Sequence, residues 1–318
     1  MEFLERPPRY RGPNLDPTGV RLRPKRLAEG VYALLAAPPP RDNSGVVIGD
    51  HGALVIDAGI NTAMAHQIQQ VVRRLTDRPI LWLANTVYHG DHTFGNAAFP
   101  AATRIIASRR TAESMTDLDA EKQARAQNLG GNLDAIADIT SWRRPDVVFE
   151  ERTEVDLGGR TVQLWHFGPG NSPGDTVVWV AEARAAWTGN LLGHRRVAPM
   201  LLEGGPAPYL DTLARFKSTL DVKTVVPGHG PLADARALDA WMGYLRELLE
   251  GVVCARRLGL SALATVETVP LPRGHGFPRW HPAARMNWLV QDLHRLNVLA
   301  TYRDLELGGW QVEIADAQ

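Results

Sequence analysis

Two histidines and a carboxylate fall within four residues in Asn85-Thr86-Val87-Tyr88-His89-Gly90-Asp91-His92-Thr93-Phe94-Gly95-Asn96. Imidazole nitrogens and a carboxylate oxygen offered by one short turn suit a divalent cation. A loop at a strand end is also where a rigid scaffold presents reactive groups, and the apolar run 79–84 supplies that strand. A further histidine closes a second apolar run in Val226-Pro227-Gly228-His229-Gly230, and His194 stands in Leu191-Leu192-Gly193-His194-Arg195-Arg196. No P-loop, dinucleotide fingerprint or serine-nucleophile elbow occurs, so phosphate-cradling and serine-acyl chemistry have no support.

The elements that must position these residues follow from pattern and punctuation. Residues 1–25 are rich in Pro and Arg without an apolar period, which implies an arm on the surface or on a partner; the arm is taken as 1–27. Short apolar runs at 31–35, 45–48 and 53–57 read as strands, with Gly49-Asp50-His51-Gly52 as a hairpin turn. Residues 62–76 carry Ile68, Val71, Val72 and Leu75 on one helical face, with Asn61 or Thr62 as cap. A strand, helix and strand leading into the reactive loop make a crossover unit whose site lies at the sheet's C-terminal edge. A polar helical stretch at 108–143, broken at Gly130-Gly131, is either a solvated face or a wall over the site. Strand-like segments return at 147–149, 153–155, 161–165, 176–180 and 185–187, followed by a helix at 208–220 and a buried strand at 224–226. Two blocks of strands, each closing with helices, predict two sheets face to face with helices outside. Residues 251–318 are a mostly helical extension on the same domain. His275 and His281, in the loop before the last helix, read as surface residues or as the edge of a pocket.

Composition removes several function classes. Lys+Arg and Asp+Glu both total 35, leaving no net field for nucleic acid or an anionic membrane. No apolar run reaches the ~18 residues of a membrane span, and the start lacks a signal-peptide core. A single cysteine, Cys254, excludes an internal disulfide and fits a reducing compartment; its helical context reads as packing. The expectation is a cytoplasmic globular protein, with a homodimer left open.

The reactive loop resembles the H-x-H-x-D-H signature of the metallo-β-lactamase superfamily, with Val87 where the first histidine belongs. Phe167-Gly168-Pro169-Gly170-Asn171-Ser172-Pro173-Gly174-Asp175 resembles the family's next loop, with Asn171 at the histidine position. Trp187-Thr188-Gly189-Asn190-Leu191-Leu192 resembles its Thr-Gly-Asp segment with Asn190 for the aspartate, and the His229 motif is intact. The resemblance spans 28–250 and implies a four-layer αββα sandwich of α+β or α/β class, with 108–143 as a flap or wall.

It also implies a metal assignment. One family position uses 87, 89 and 171 and keeps only His89; the other uses Asp91, His92 and His229, all present. Two dications ~3.5 Å apart repel by about 19 kcal/mol even at an effective dielectric near 20, and Asn190 removes the bridging carboxylate. The resemblance therefore implies one divalent ion, zinc first and iron or manganese as alternatives. His89 is then either a general acid or base or a hydrogen-bonded structural group, and Asn171 and Asn190 are either oxyanion donors or loop anchors. Tyr88 and His194 are candidate substrate contacts. Asp57 and Asp175 would orient the ligands from behind, while His166 is structural. Trp142, Trp280 and Trp288 are candidates to line an apolar pocket.

The loop's tail, with Trp280, Arg285 and Asn287, is similar to a branch of hydrolases and aromatic polyketide cyclase/thioesterases. The implied function is hydrolysis at an ester, thioester or lactone carbonyl of a small molecule. The alternatives are a metal-independent cyclase, dehydratase or lyase, and a binding protein without activity.

Overall fold

The structure, a computed structural model, describes residues 5–308. Among the described residues twelve strands form two sheets. The first contains β1 (Arg21–Ala28), β2 (Val31–Ala37), β3 (Ser44–Ile48), β4 (Ala53–Ile56), β5 (Ile80–Ala84), β6 (Arg104–Ser108) and β7 (Val147–Phe149), in chain order across the sheet. β1 to β4 pair antiparallel, and β4 to β7 pair parallel through crossovers. The second sheet runs β12-β11-β10-β9-β8, from β8 (Arg152–Asp156), β9 (Thr161–Trp165), β10 (Val177–Val180), β11 (Ala185–Gly189) and β12 (Thr224–Pro227). It is antiparallel apart from the β11–β12 pair.

The helices are α1 (Thr62–Leu75), α2 (Gly90–Thr93), α3 (Arg109–Ser114), α4 (Leu118–Ala126), α5 (Pro206–Thr219), α6 (Arg236–Arg257), α7 (Ala262–Thr268) and α8 (Asn287–Glu306). Three apolar clusters define the layers. Val31, Leu54, Ile56 and Ile106 of the first sheet meet Val162, Leu164, Val178, Trp187 and Val226 of the second. The outer face of the first sheet packs on α1 through Ile68 and Val72, while α5, α6, α7 and α8 cover the second through Phe216, Leu245, Val266 and Leu299. This is the four-layer sandwich, with a helical segment added at the C-terminal end.

Local chemistry sets most boundaries. The Asn61 side chain accepts from Met64 N at 2.9 Å and starts α1, whose buried stripe includes Ile68, Val71 and Val72. The Gly49–Gly52 turn closes β3 on β4. Gly45 is required by packing: a Cβ there would lie 2.2 Å from the Trp187 indole nitrogen, so the sheets meet at this ring only because the facing residue has no side chain.

Three expectations are corrected. Residues 21–28, which show no apolar period, form an edge strand because pairing with β2 satisfies their backbone whatever their side chains. The arm before them is not loose: Leu15 and Val20 are buried. Cys254, read as packing, is exposed on α6, since the helix turns Val252 and Ala255 inward instead. Among the described residues no helix is long and apolar enough to cross a membrane.

Candidate metal centre

The centre is built where β4, β5 and β12 end. β4 stops at Ile56, and Asp57 takes a left-handed backbone with φ 61. Asparagine and aspartate tolerate that conformation better than other side chains, at a cost of roughly 1 kcal/mol. The turn aims the buried carboxylate at the loop after β5: Oδ1 accepts from Thr86 N at 2.8 Å, and Oδ2 from Thr86 Oγ1 at 2.6 Å. Asp57 Oδ2 also lies 2.8 Å from His92 Nδ1. An ionised carboxylate only accepts, so His92 carries its hydrogen on Nδ1 and leaves Nε2 with a lone pair.

His229 reaches the same tautomer by another route. Its Nδ1 lies 2.9 Å from the Pro40 carbonyl oxygen, which again can only accept. Asp91 uses one oxygen for a buried cation: Arg125 donates to Oδ1 at 3.0 Å. Its Oδ2 has no hydrogen-bond partner, and neither has His92 Nε2. Oδ2 stands 3.2 Å from His229 Nε2 and 3.6 Å from His92 Nε2. The three ligand atoms all lie within 4.8 Å of one another.

Three acceptors facing each other in a buried space repel and leave lone pairs unsatisfied, unless a cation sits among them. Two imidazole nitrogens and a carboxylate oxygen with room for further ligands fit a catalytic divalent ion. The electrostatics agree. Burial opposes a positive charge on His92, yet Asp57 and Asp91 outweigh it and push the imidazole up to about 10, so the site favours positive charge at Nε2, which a proton supplies in the absence of an ion and a bound cation would replace. Burial works against the Asp91 carboxylate too, but Arg125 and His92 hold it well below the usual range. Gly228 is needed for this approach, since a Cβ there would lie 2.6 Å from His92 Cε1.

A network without precedent in the sequence patterns backs the centre. Arg125, on α4, also brings Nε to 2.9 Å from Glu121 Oε1, and Glu121 Oε1 accepts from Gly90 N at 2.7 Å. Within the 108–143 segment, Glu121 and Arg125 are thus buried against the reactive loop, while Arg109, Arg110 and Glu113 stay exposed. Asp42 is buried beside His229, 3.4 Å from Nδ1; burial and the charge of Asp91 raise it to about 7. The i, i+4 pair Glu121/Arg125 was visible as spacing, but only burial distinguishes it from a surface pair. Asp42 carried no signal at all.

The position that the resemblance assigns to a first ion holds side chains of this protein. His89 is 1% exposed. Its Nδ1 is 3.2 Å from Asn190 Nδ2, and its Nε2 is 3.7 Å from Glu203 Oε1. Tyr88 donates a short hydrogen bond to the same Glu203 oxygen. Burial works against the Glu203 charge, but His89 and Tyr88 lower it again. Val87 packs with Tyr88 and Met115, an apolar plug where a ligand would stand. Asn171 donates from Nδ2 to the Met200 carbonyl at 2.6 Å and keeps a buried, unpartnered Oδ1. Asp175 accepts from Ser172 N and Oγ and shapes that loop; burial raises it to about 6 against those hydrogen bonds. His166 Nδ1 bonds the Asp175 carbonyl and serves the fold. Glu203 lay in an unpatterned loop and was not foreseen.

A cavity of about 460 Å³ opens onto the centre, lined at its floor by Asp91, Arg125, Asn171, Asn190 and His229. His194 and His281 are also on its wall, stacked on either side of Phe277; His275 lines a separate, shallower hollow. Tyr88 does not reach the cavity, because its hydroxyl turns inward to Glu203. The pocket tryptophans are corrected. Trp142 packs against Phe94 and donates to Thr93, Trp280 is 82% exposed, and Trp288 lies under Arg11. The cavity uses Trp241 from α6 instead.

The family model of the metallo-beta-lactamase superfamily matches residues 38–229, and the chain belongs to that superfamily. Its members are typically metal-dependent hydrolases. Among solved structures, it is similar to a metallo-beta-lactamase from Pontibacter korlensis at 20% identity and TM-score 0.57, over 71% of this chain and 99% of that one. It is also similar to TMB-1 at 17% identity and TM-score 0.55, over 71% and 98% of the two chains. A metallo-beta-lactamase from Erythrobacter litoralis, solved with beta mercaptoethanol in its active site, matches at 15% identity and TM-score 0.56, over 71% and 97%. These likenesses show the fold.

Proposed function

We propose that this protein is a mononuclear metal-dependent hydrolase acting on an ester, thioester or lactone carbonyl of a small apolar molecule. One observation carries the reading: three hydrogen-bond acceptors, Asp91 Oδ2, His92 Nε2 and His229 Nε2, lie within 4.8 Å of one another, and two of their residues, Asp91 and His229, line an apolar cavity. Asp91, His92 and His229 would hold the ion, zinc in the first instance with iron or manganese as substitutes. When bound, it would supply Lewis-acid polarisation of the carbonyl and activation of water.

The chain's own residues do the rest. Asp57 and Pro40 fix the two imidazole tautomers, and Arg125 orients Asp91. Glu203 fixes the His89 ring, and His89 in turn holds the Asn190 amide at the cavity floor. Asn190 and Asn171 then bracket the carbonyl. His194 is kept neutral by burial and by Arg195 and Arg196, and can exchange a proton with a leaving group. A cyclising acyl transfer, with a nucleophile of the substrate replacing water, would use the same floor.

A second reading is favoured by the acid–base groups Tyr88, Glu203 and His89 gathered beside the centre, with the Asn190 amide between His89 and the cavity, which do not depend on a metal. Elemental analysis of protein purified without chelators separates the two. Near one equivalent of metal, lost in His229→Ala together with esterase activity, supports the hydrolase. Activity that survives exhaustive chelation supports the second, and neither metal nor activity leaves a binding protein.

A further inference from the structure

The cavity that opens on the metal centre is unevenly charged. Asp91 is the one carboxylate among the described residues that line it, and Arg125 already neutralises that group. A second cation, Arg285, lines the same cavity and is exposed to solvent. It has no ion-pair or hydrogen-bond partner among the described residues. A side chain that both borders a cavity and meets solvent stands at its mouth. The chain around it offers no counter-charge: from Thr268 to Gln291 there is no aspartate or glutamate, against Arg273, Arg279 and Arg285.

The wall next to Arg285 in the chain presents donors. His194 and His281 both stack on Phe277, with ring centres 5.5 and 4.9 Å from it. Each imidazole spends Nδ1 as an acceptor, from Arg196 N at 3.3 Å and from Ala283 N at 3.1 Å. Each neutral ring therefore carries its hydrogen on Nε2, which has no partner among the described residues. The wall is also fixed. Gly276 N donates to the Arg196 carbonyl at 2.8 Å, and Asn287 exchanges two hydrogen bonds with the Phe277 backbone, at 2.7 and 2.9 Å. Acceptors thus crowd the metal centre, while unpartnered donors and a spare cation belong to the wall and mouth. His281 and Arg285 lie outside the stretch 38–229 that the family model matches.

We infer that the mouth is a carboxylate-recognition site, and that the substrate is an acid: an apolar body carrying one carboxylate, which Arg285 selects. The planar guanidinium fork matches the two oxygens of a carboxylate, and such pairs are charge-assisted. Calling the acid a substrate rests on the hydrolase reading; the anion site itself does not.

The test reads binding without turnover, by calorimetry on the full-length protein. Monoamides of succinic, adipic and suberic acid are each compared with the neutral diamide of the same length. Chelated and zinc-saturated protein are both used, so that a carboxylate bound to metal is told apart from one at the mouth. At the best-fitting length the acid should bind on the order of tenfold tighter than its diamide. Arg285→Gln should bring the two within twofold and leave the diamide unchanged, and Arg285→Lys should keep part of the preference. No acid preference at any length, or one that Arg285→Gln leaves intact in chelated protein, overturns the inference. An Arg285-dependent preference in a protein that binds no metal and hydrolyses no ester sinks the hydrolase reading and keeps the acid site. Metal and esterase activity without that preference do the reverse.

Discussion

Replacing Arg125 with methionine tests the physical core of the site. The guanidinium is buried and lies 3.0 Å from Asp91 Oδ1 and 2.9 Å from Glu121 Oε1. Methionine keeps most of the volume and removes the charge, leaving two buried carboxylates without their cation. Breaking one partner of a buried ion pair costs about 3–5 kcal/mol. At roughly 2–4 °C per kcal/mol, the melting temperature should fall by about 10 °C. The metal reading adds a second expectation. An ion held by Asp91, His92 and His229 compensates Asp91 directly, so in metal-replete protein the loss should shrink to about half. Thermal melts followed by circular dichroism, with EDTA and with saturating zinc, give both numbers. A shift under about 2 °C in chelated protein would refute the buried-pair account, and equal shifts in both conditions would refute an ion at Asp91.

Three other expectations follow from particular contacts. Gly228→Ala places a Cβ against His92; the fold should persist while zinc affinity, measured by competition with a chromophoric chelator, falls tenfold or more. His294 is buried and neutral, with Nδ1 3.0 Å from the Tyr244 hydroxyl and Nε2 3.0 Å from the Val269 carbonyl. Burial lowers its proton affinity, so below the unfolded value of about 6.5 the unfolded chain gains a proton that the native one resists. Stability should therefore fall with acidification from there, by at most about 1.4 kcal/mol per pH unit from this group. His294→Gln should flatten the urea-midpoint slope between pH 7 and 5, and an unchanged slope would count against it. Glu203→Gln weakens the hold on His89 and, through it, on Asn190. Turnover should drop about tenfold with metal content unchanged, and loss of metal instead would show that Glu203 supports the ion.

The chain by itself determined the architecture and one face of the chemistry. The 3.6-residue period of α1, the glycine turn between β3 and β4 and the apolar runs were local signals, and each appears where its pattern placed it. Asp91, His92 and His229 were legible because their motifs lie in short loops after strands. Only the tertiary structure decided what the ordered residues around them do. β1 follows from a pairing partner, not from its own pattern. Glu121 and Arg125 are an ordinary helix-surface pair in sequence, and they become the support of Asp91 because α4 folds over the loop. Glu203 stands 114 residues from His89, which it meets, and no local period records such a meeting. Hydrogen-bond direction was the last thing hidden: the acceptors of Asp57 and Pro40 turn two histidines into lone pairs facing one carboxylate oxygen, and that is a property of packed atoms in space.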